Sequence, residues 1–313
     1  LFLRNFFALM VFVGIGIAIY RRFIQKIPRF FTNAMDRYAL IILAVIMVSG
    51  IFLEAVKIGS FERYSQMVTD YADFDGEQEK KALEALWVED FGVVSPNLTT
   101  PFEKELLIQG RELHEMNCAA CHSRPQWAFI GYGVAVVLRP VALPLDRAGL
   151  VTLLWTIHFL ACFIGLAYLP FSRMFHILAT PLNLLANSVM EKGKSHPANL
   201  ITLQMLALDA CTHCGSCTSR CSLAVIFEEI PNPNILPSEK IASLKTLASG
   251  RALSEHQMTV IQEGLYLCTN CYRCTTVCPA GINLQELWFD VREAVLKRGY
   301  PELLVLTPFS MYR

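Results

Sequence analysis

The feature that most constrains this 313-residue chain is a pair of matched cysteine runs in its C-terminal half. Each run has the spacing C-x2-C-x2-C-x3-C, and the two runs begin 57 positions apart. The first run is Cys211, Cys214, Cys217 and Cys221, and the second is Cys268, Cys271, Cys274 and Cys278. A single zinc ion takes only four ligands, and disulfide scaffolds belong to small secreted domains. The runs therefore predict two metal centres held by eight thiolates.

The same spacing, with Pro279 after the last cysteine, is typical of proteins that hold two 4Fe–4S clusters. In that arrangement the fourth cysteine of each run binds the cluster of the other run. We therefore assign the first cluster to Cys211, Cys214, Cys217 and Cys278, and the second to Cys268, Cys271, Cys274 and Cys221. Ser222 stands where the first run would usually have proline, which changes the turn but not the ligand count.

Three apolar stretches are candidates to cross a membrane, at about residues 6–20, 38–56 and 150–178. A membrane helix needs about 20 predominantly apolar residues, and hydrophobic residues make up 54% of the chain. The chain begins without Met and inside or beside an apolar segment, so we expect the sequence to start partway through a longer protein. Its net charge of zero indicates no nucleic-acid partner.

Charges around these stretches predict their orientation. Positively charged residues lie between the first two stretches and at or beyond the end of the third. The first group is Arg21, Arg22, Lys26, Arg29 and Arg37, and the second is Arg173, Lys192 and Lys194. The loop at 59–146 is acidic by contrast. Because cytoplasmic loops carry the excess of Lys and Arg, we expect a bacterial or archaeal inner-membrane protein. Its acidic loop would be periplasmic, and the region after residue 195 would be cytoplasmic.

The acidic loop contains the motif C-x-x-C-H at Cys118, Cys121 and His122. This motif is typical of covalent haem c attachment, in which the two thiols form thioethers and the histidine binds iron. Residues 110–117 resemble the helix before the haem site of small cytochromes c. A disulfide or a chance match is the alternative. The sixth iron ligand stays open between Met67, a partner protein and none.

Two histidines, His158 and His176, lie in the third apolar stretch. If that stretch is one helix, their separation of 18 residues is five turns, or about 27 Å, and they share one face. Histidine in a membrane helix is by default a functional residue, and this spacing predicts two stacked haem b groups. The alternative is two interfacial histidines that only pack. Residues 1–56 contain no histidine, so helices upstream or another subunit must supply the second iron ligands.

The membrane half resembles a known family. The sequence P-F-S-R-M-F-H at 170–176, together with His158, resembles the last membrane helix of the respiratory nitrate reductase gamma subunit. The resemblance covers about residues 1–56 and 150–187. It implies two b haems on a five-helix core, in which the first two helices of this chain would be the third and fourth. The haem c loop departs from that family.

The cluster half resembles the heterodisulfide-reductase-like proteins, through C-P-A-G-I-N at 278–283 and L-W-F at 287–289. These include the catalytic subunit of the sulfite-reductase-linked membrane complex and the oxidoreductase that accepts electrons from electron-transferring flavoprotein. Family members usually continue into cysteine-rich CCG domains. We therefore expect those domains to follow in a longer sequence or to lie on another chain.

Together these features predict an all-α protein, a transmembrane helical bundle followed by an α-helical ferredoxin domain. The expected divisions are a helical hairpin at 1–58, the haem c loop at 59–147, the haem b helix at 148–190, the cluster domain at 195–300 and a tail at 301–313. Apolar positions between charged ones also predict helices at 101–116 and 238–249. Since the cysteine sets are complete without it, we expect no ligand role for His213. We expect a surface residue that tunes a cluster potential through a hydrogen bond.

The order of cofactors predicts a membrane-bound oxidoreductase subunit. It would pass electrons between a quinone, with menaquinone as the candidate, or a periplasmic cytochrome c and a cytoplasmic partner. That partner would be electron-transferring flavoprotein or a thiol/disulfide protein. The alternatives are a nitrate-reductase-like quinol oxidase subunit and a non-catalytic membrane redox sensor.

Overall fold

A computed structural model describes residues 1–25, 34–72, 74, 76–227, 229–230 and 232–299. Regular structure within these ranges is helical, without a strand, which confirms the predicted all-α fold. The residues form two compact units. The first unit comprises Leu1–Tyr20 and Leu40–Ala167, and the second comprises Arg21–Ala39 and the chain from Tyr168 onward. The predicted tail at 301–313 lies outside the described residues.

The first unit and the helix that leads into it contain eight α-helices. They are α1 (Phe2–Ile19), α2 (Ala34–Gly59), α3 (Phe61–Tyr71), α4 (Glu77–Leu86), α5 (Lys104–Asn117), α6 (Phe129–Leu138), α7 (Ala142–Arg147) and α8 (Leu150–Ala167). Helix α5 confirms the helix expected at 101–116. Within the described part of the chain, four segments are long and apolar enough to cross a membrane: Phe2–Ile24, Ala34–Gly59, Phe129–Arg147 and Leu150–Ala167.

Helices α2 and α8 pack antiparallel along their length. Val151, at the start of α8, shares a small core with Leu53 and Val56 near the end of α2. Farther along α8, the space beside Gly165 is closed by Ile46 and Ile42 from the first half of α2. The two helices therefore run in opposite directions across the same apolar layer.

The segment Phe129–Arg147 is not one of the three membrane candidates predicted from the sequence. Its contacts indicate that it does not cross the membrane. Near its start, the Asn5 side chain accepts hydrogen bonds from the backbone N–H of Ile130 (3.0 Å) and Gly131 (3.2 Å), and it donates to Glu54 (3.2 Å).

At its end, Asp146 accepts a hydrogen bond from the Ser60 hydroxyl at 2.5 Å. Glu54 and Ser60 are about 9 Å apart along a helix, whereas a crossing needs about 30 Å. Both ends of α6–α7 thus lie at the same end of α2.

The predicted single helix at 150–178 is wrong. Helix α8 ends at Ala167, two short 3-10 turns follow at Leu169–Phe171 and Arg173–Phe175, and a new helix begins at His176. Pro170 explains the break, because proline has no N–H and its ring clashes with the preceding helical turn. The prediction that His158 and His176 lie on one face of a single helix, five turns apart, is therefore also wrong.

The described residues of the second unit form seven α-helices after the end of α8. They are α9 (His176–Val189), α10 (Pro197–Ala210), α11 (Ser216–Ser219), α12 (Pro237–Ala248), α13 (Glu255–Leu267), α14 (Arg273–Thr276) and α15 (Leu284–Lys297). Helix α12 confirms the helix expected at 238–249. The unit is built around one core that includes the fully buried Trp288, Leu265 and Leu284.

Candidate cofactor sites

The second unit brings four cysteines around one small cavity, and one of the four is distant from the others in the sequence. Cys211 ends α10, and the loop after it carries Cys214 and the start of α11. Cys278 arrives from the second run and faces the same cavity. The lining cysteines are Cys211, Cys214, Cys217 and Cys278. This is the set expected for the first cluster, including the cysteine taken from the other run.

A second small cavity is lined by the remaining four cysteines of the runs. They are Cys221, Cys268, Cys271 and Cys274. Cys268 ends α13 as Cys211 ends α10, so each run starts where a helix stops. Each cavity therefore collects three cysteines from one run and the fourth from the other.

The two runs also repeat in backbone conformation. His213 and Asn270 occupy equivalent places before the second cysteine of their runs, and both have a positive φ, of 54° and 52°. Gly215 and Tyr272 follow that cysteine with φ of 71° and 68°. Left-handed conformations are costly for residues other than glycine. Their recurrence at matching positions shows that both loops curl in the same way around their cavities.

Two cysteines around the first cavity are buried in surroundings that disfavour their thiolates in the absence of a cation. Burial raises the pKa of Cys217 to about 12 and that of Cys211 to about 11. Metal binding displaces such protons, because the thiolate is the ligand. No group of three or more His, Cys, Asp and Glu side chains in the described ranges is arranged to hold a single metal ion.

Ser222, the residue in the usual proline position, contacts the second cavity. Its hydroxyl lies 3.5 Å from the sulfur of Cys271 and lowers the pKa of that thiol. The sequence marks this position as unusual but indicates no role for the side chain.

His213 is not at the surface, so the expected surface position of this residue is wrong. Its side chain is buried, and its Nε2 lies 2.6 Å from a Glu239 carboxylate oxygen. Its Nδ1 lies 3.7 Å from the buried Asp36, at the start of α2. Asp36 also pairs with Arg22 (3.3 Å) and Arg173 (3.0 Å). The loop of the first run is thus tied into a network of buried charges.

In the first unit, the C-x-x-C-H motif follows α5 directly. Cys118 is buried against a core that includes Trp87 and Leu113, whereas Cys121 is exposed. The ring of His122 lies 5.2 Å from that of Trp87. Helix α5 approaches α4 closely at Gly110, where a Cβ would collide with the carbonyl of Ala82. The first cysteine of the motif is therefore held in the core, whereas the second cysteine and the histidine are exposed.

A cavity of about 720 Å³ extends through the first unit. His122 and Met67 line it together with Tyr64 and Trp87, and His158 lines it together with Gly50. Sequence reasoning places His122 and His158 at different haems and does not anticipate one continuous cavity. Only the packing of α2 and α8 with the loop region brings the two positions to a common space.

In both candidate haem b histidines, Nδ1 is within hydrogen-bond distance of a protein oxygen atom. Nδ1 of His158 lies 3.0 Å from the Ser49 hydroxyl, and Nδ1 of His176 lies 2.6 Å from the carbonyl oxygen of Arg173. Such contacts fix the ring and leave Nε2 as the atom that can bind a metal; in His158 this atom lies 3.7 Å from the sulfur of Cys162. The His158 ring fills the space beside Gly50, where a Cβ would lie 3.1 Å from it. The two histidines belong to different units.

Comparison with known proteins bears on the second unit most directly. A family model described as a 4Fe-4S dicluster domain matches residues 207–282. One subunit of the dihydromethanophenazine:CoB--CoM heterodisulfide reductase of Methanosarcina acetivorans is 30% identical over 112 residues, which cover 32% of this chain and 27% of that protein.

Two further relatives extend this likeness. One subunit of the ferredoxin:CoB-CoM heterodisulfide reductase of Methanosarcina mazei is 30% identical over 104 residues, covering 32% of this chain and 55% of that protein. The EtfAB:quinone oxidoreductase of Syntrophomonas wolfei is 24% identical over 169 residues, covering 41% and 24%.

No solved structure matches the chain. The chain spans about a quarter of the length of the first of these relatives. It contains a 4Fe–4S dicluster domain similar to those of oxidoreductase subunits, in one sequence with helices long and apolar enough to cross a membrane.

Proposed function

We propose that this chain is the electron-transfer subunit of a membrane-bound oxidoreductase. It carries electrons between a quinone or a periplasmic cytochrome c and a cytoplasmic partner. Two 4Fe–4S clusters, two b haems and one c haem form the route. The observation that carries the proposal is the grouping of the eight run cysteines around two cavities, within a dicluster domain that shares its chain with membrane helices.

The residues would hold these groups as follows. The cysteines around each cavity would bind one cluster, and the C-x-x-C-H motif would bind haem c through Cys118, Cys121 and His122. His158 and His176 would each bind the iron of one haem b through Nε2, and a second imidazole would come from outside this sequence. When bound, these groups supply one-electron redox chemistry, and the protein sets their spacing and potential.

Among the described residues, Met67 would supply the second protein ligand of haem c. It is half-buried on α3 and lines the same cavity as His122. His114 packs against Trp87 and Phe91, and it is not among the side chains that line this cavity. A methionine opposite a histidine raises the potential of a haem. This pairing would suit exchange of electrons with a periplasmic cytochrome.

The identity of the partners follows from the relatives as a proposal. One relative is by name a quinone oxidoreductase linked to electron-transferring flavoprotein, and others act on a heterodisulfide. We therefore propose menaquinone on the membrane side. On the cytoplasmic side we propose electron-transferring flavoprotein, with a thiol/disulfide protein as the second candidate.

The test uses the full-length protein, purified in detergent and treated with a reduced menaquinone analogue under argon. We expect reduction of the haems, seen by visible absorption, and of the clusters, seen by low-temperature electron paramagnetic resonance (EPR). A His158→Ala variant should keep its clusters and lose most of their reduction by quinol. If quinol reduces neither group in the wild-type protein, the proposed function is wrong.

A further inference from the structure

Lys240 is the most deeply buried charged side chain in the described part of the second unit. It lies in the first turn of α12 and has no solvent exposure. Its Nζ has no hydrogen-bond partner among the described residues. Burying an ammonium group without a partner is very costly. A lysine in this position therefore needs an anionic or hydrogen-bond-accepting group that the protein side chains do not supply.

The surroundings of Lys240 show where that group would be. Its Nζ stands 4.8 Å from the centre of the Trp288 ring, and Trp288 lines the cavity of Cys221, Cys268, Cys271 and Cys274. Burial lowers the pKa of Lys240, while the nearby sulfurs of Cys268 and Cys221 act in the opposite direction. The lysine thus stands beside the second cavity and not beside the first.

Two other polar groups point to the same cavity. Burial raises the pKa of the Cys274 thiol, and the buried indole N–H of Trp288 acts against this increase. The hydroxyl of Ser222 contacts Cys271. Arg292 is the other cation nearby, but its guanidinium already donates to the backbone carbonyls of Leu265 and Cys268. Of these two cations, Lys240 is therefore the one with an uncommitted donor.

We propose that Lys240 is a positioning residue that donates a hydrogen bond to the sulfurs of the second cluster and raises its reduction potential. The inference rests on the proposed function, since it requires the cluster. A positive charge stabilises the reduced, more negative state of a cluster more than the oxidised state. Hydrogen bonds to the sulfurs act in the same direction.

The experiment is an EPR-monitored redox titration of the full-length protein with Lys240→Met, which keeps the length and apolar stem of the side chain. We expect the midpoint of one cluster to fall by at least a tenfold change in its reduction equilibrium, ~59 mV for one electron, with the other midpoint unchanged. Lys245→Met is the matched control. Lys245 lies on the same helix, is exposed, and pairs with Asp209, so its loss should move neither midpoint.

A second measurement does not depend on a stable variant. Wild-type protein labelled with ¹⁵N only in lysine side chains should show a nitrogen coupling on one reduced cluster by pulsed EPR. If both clusters are present and neither the midpoint shift nor the coupling is seen, the role of Lys240 is overturned and the proposed function stands. If the wild-type protein gives no cluster signals, both fail.

Discussion

Cys278 and Cys211 line the same cavity, although 67 positions separate them in the chain. Cys278 follows the short helix α14, and Cys211 closes α10, so the two runs exchange their last cysteines. This exchange makes each candidate cluster depend on both runs. Loss of the last cysteine of one run should therefore affect the cluster of the other run.

Removal of Cys278 tests the exchange. We expect Cys278→Ala to lose the cluster of the first set and to keep that of Cys268, Cys271 and Cys274, so that about half of the non-haem iron is lost. Iron and sulfide analysis together with EPR would measure this. Cys162→Ala is the control, because Cys162 lies in α8, outside both runs. Retention of both clusters in Cys278→Ala would show that the assignment is wrong.

The close contact between Gly50 and His158 gives a second prediction. A Cβ at position 50 would lie 3.1 Å from the imidazole ring, so Gly50→Val should displace the ring. Overpacking of this kind costs about 1–3 kcal/mol, and we expect loss of most of one b-haem signal in the reduced-minus-oxidised spectrum. Gly16→Val adds the same side chain where nothing lies within 4 Å. An equal loss in both variants would contradict a specific role for the contact.

Met67 provides a third prediction, this time for haem c. In Met67→Ala we expect haem c to stay covalently attached, its midpoint potential to fall, and the reduced haem to bind carbon monoxide. These changes follow from loss of an axial thioether. Met116→Ala is the control, because Met116 is 72% exposed. If Met67→Ala keeps the wild-type potential and excludes carbon monoxide, the sixth ligand lies elsewhere.

The course of α6–α7 gives a fourth prediction, on membrane topology. Both ends of this segment lie at the same end of α2, so it should not cross the membrane. A periplasm-dependent reporter enzyme fused after Gly149 should be active, like one fused after Leu98, and one fused after Gly299 should be inactive. An inactive reporter at Gly149 with an active one at Gly299 would show that the segment crosses.

The sequence is most informative where chemistry depends on local spacing. The cysteine runs predict the two cysteine sets because three ligands of each set lie within seven residues of one another. Pro170 inside the expected helix is a sequence signal for the break after Ala167. The prediction missed this signal because the residues around Pro170 are apolar and extend the membrane stretch. In contrast, the burial of Lys240 depends on how α12 packs against α15. From the sequence of α12 alone, Lys240 would be predicted to be an exposed charged residue.

Asp36 illustrates the same limit. In the sequence it is the single acidic residue of a basic loop, and its only visible effect is to reduce the net positive charge of that loop. In the structure it is buried and pairs with Arg22, Arg173 and His213, which come from separate parts of the second unit. Partners so distant in the chain leave no periodic signal.

The measurement that tests the account most directly is the reduced-minus-oxidised visible spectrum of the full-length protein, with pyridine haemochrome analysis. We predict both b-type and c-type bands, with the c-type band lost in Cys121→Ala and the b-type bands unchanged. Such a result would establish haems beside the dicluster domain in one membrane protein. A spectrum with neither band would contradict the electron route through the first unit and leave a membrane-anchored iron–sulfur protein.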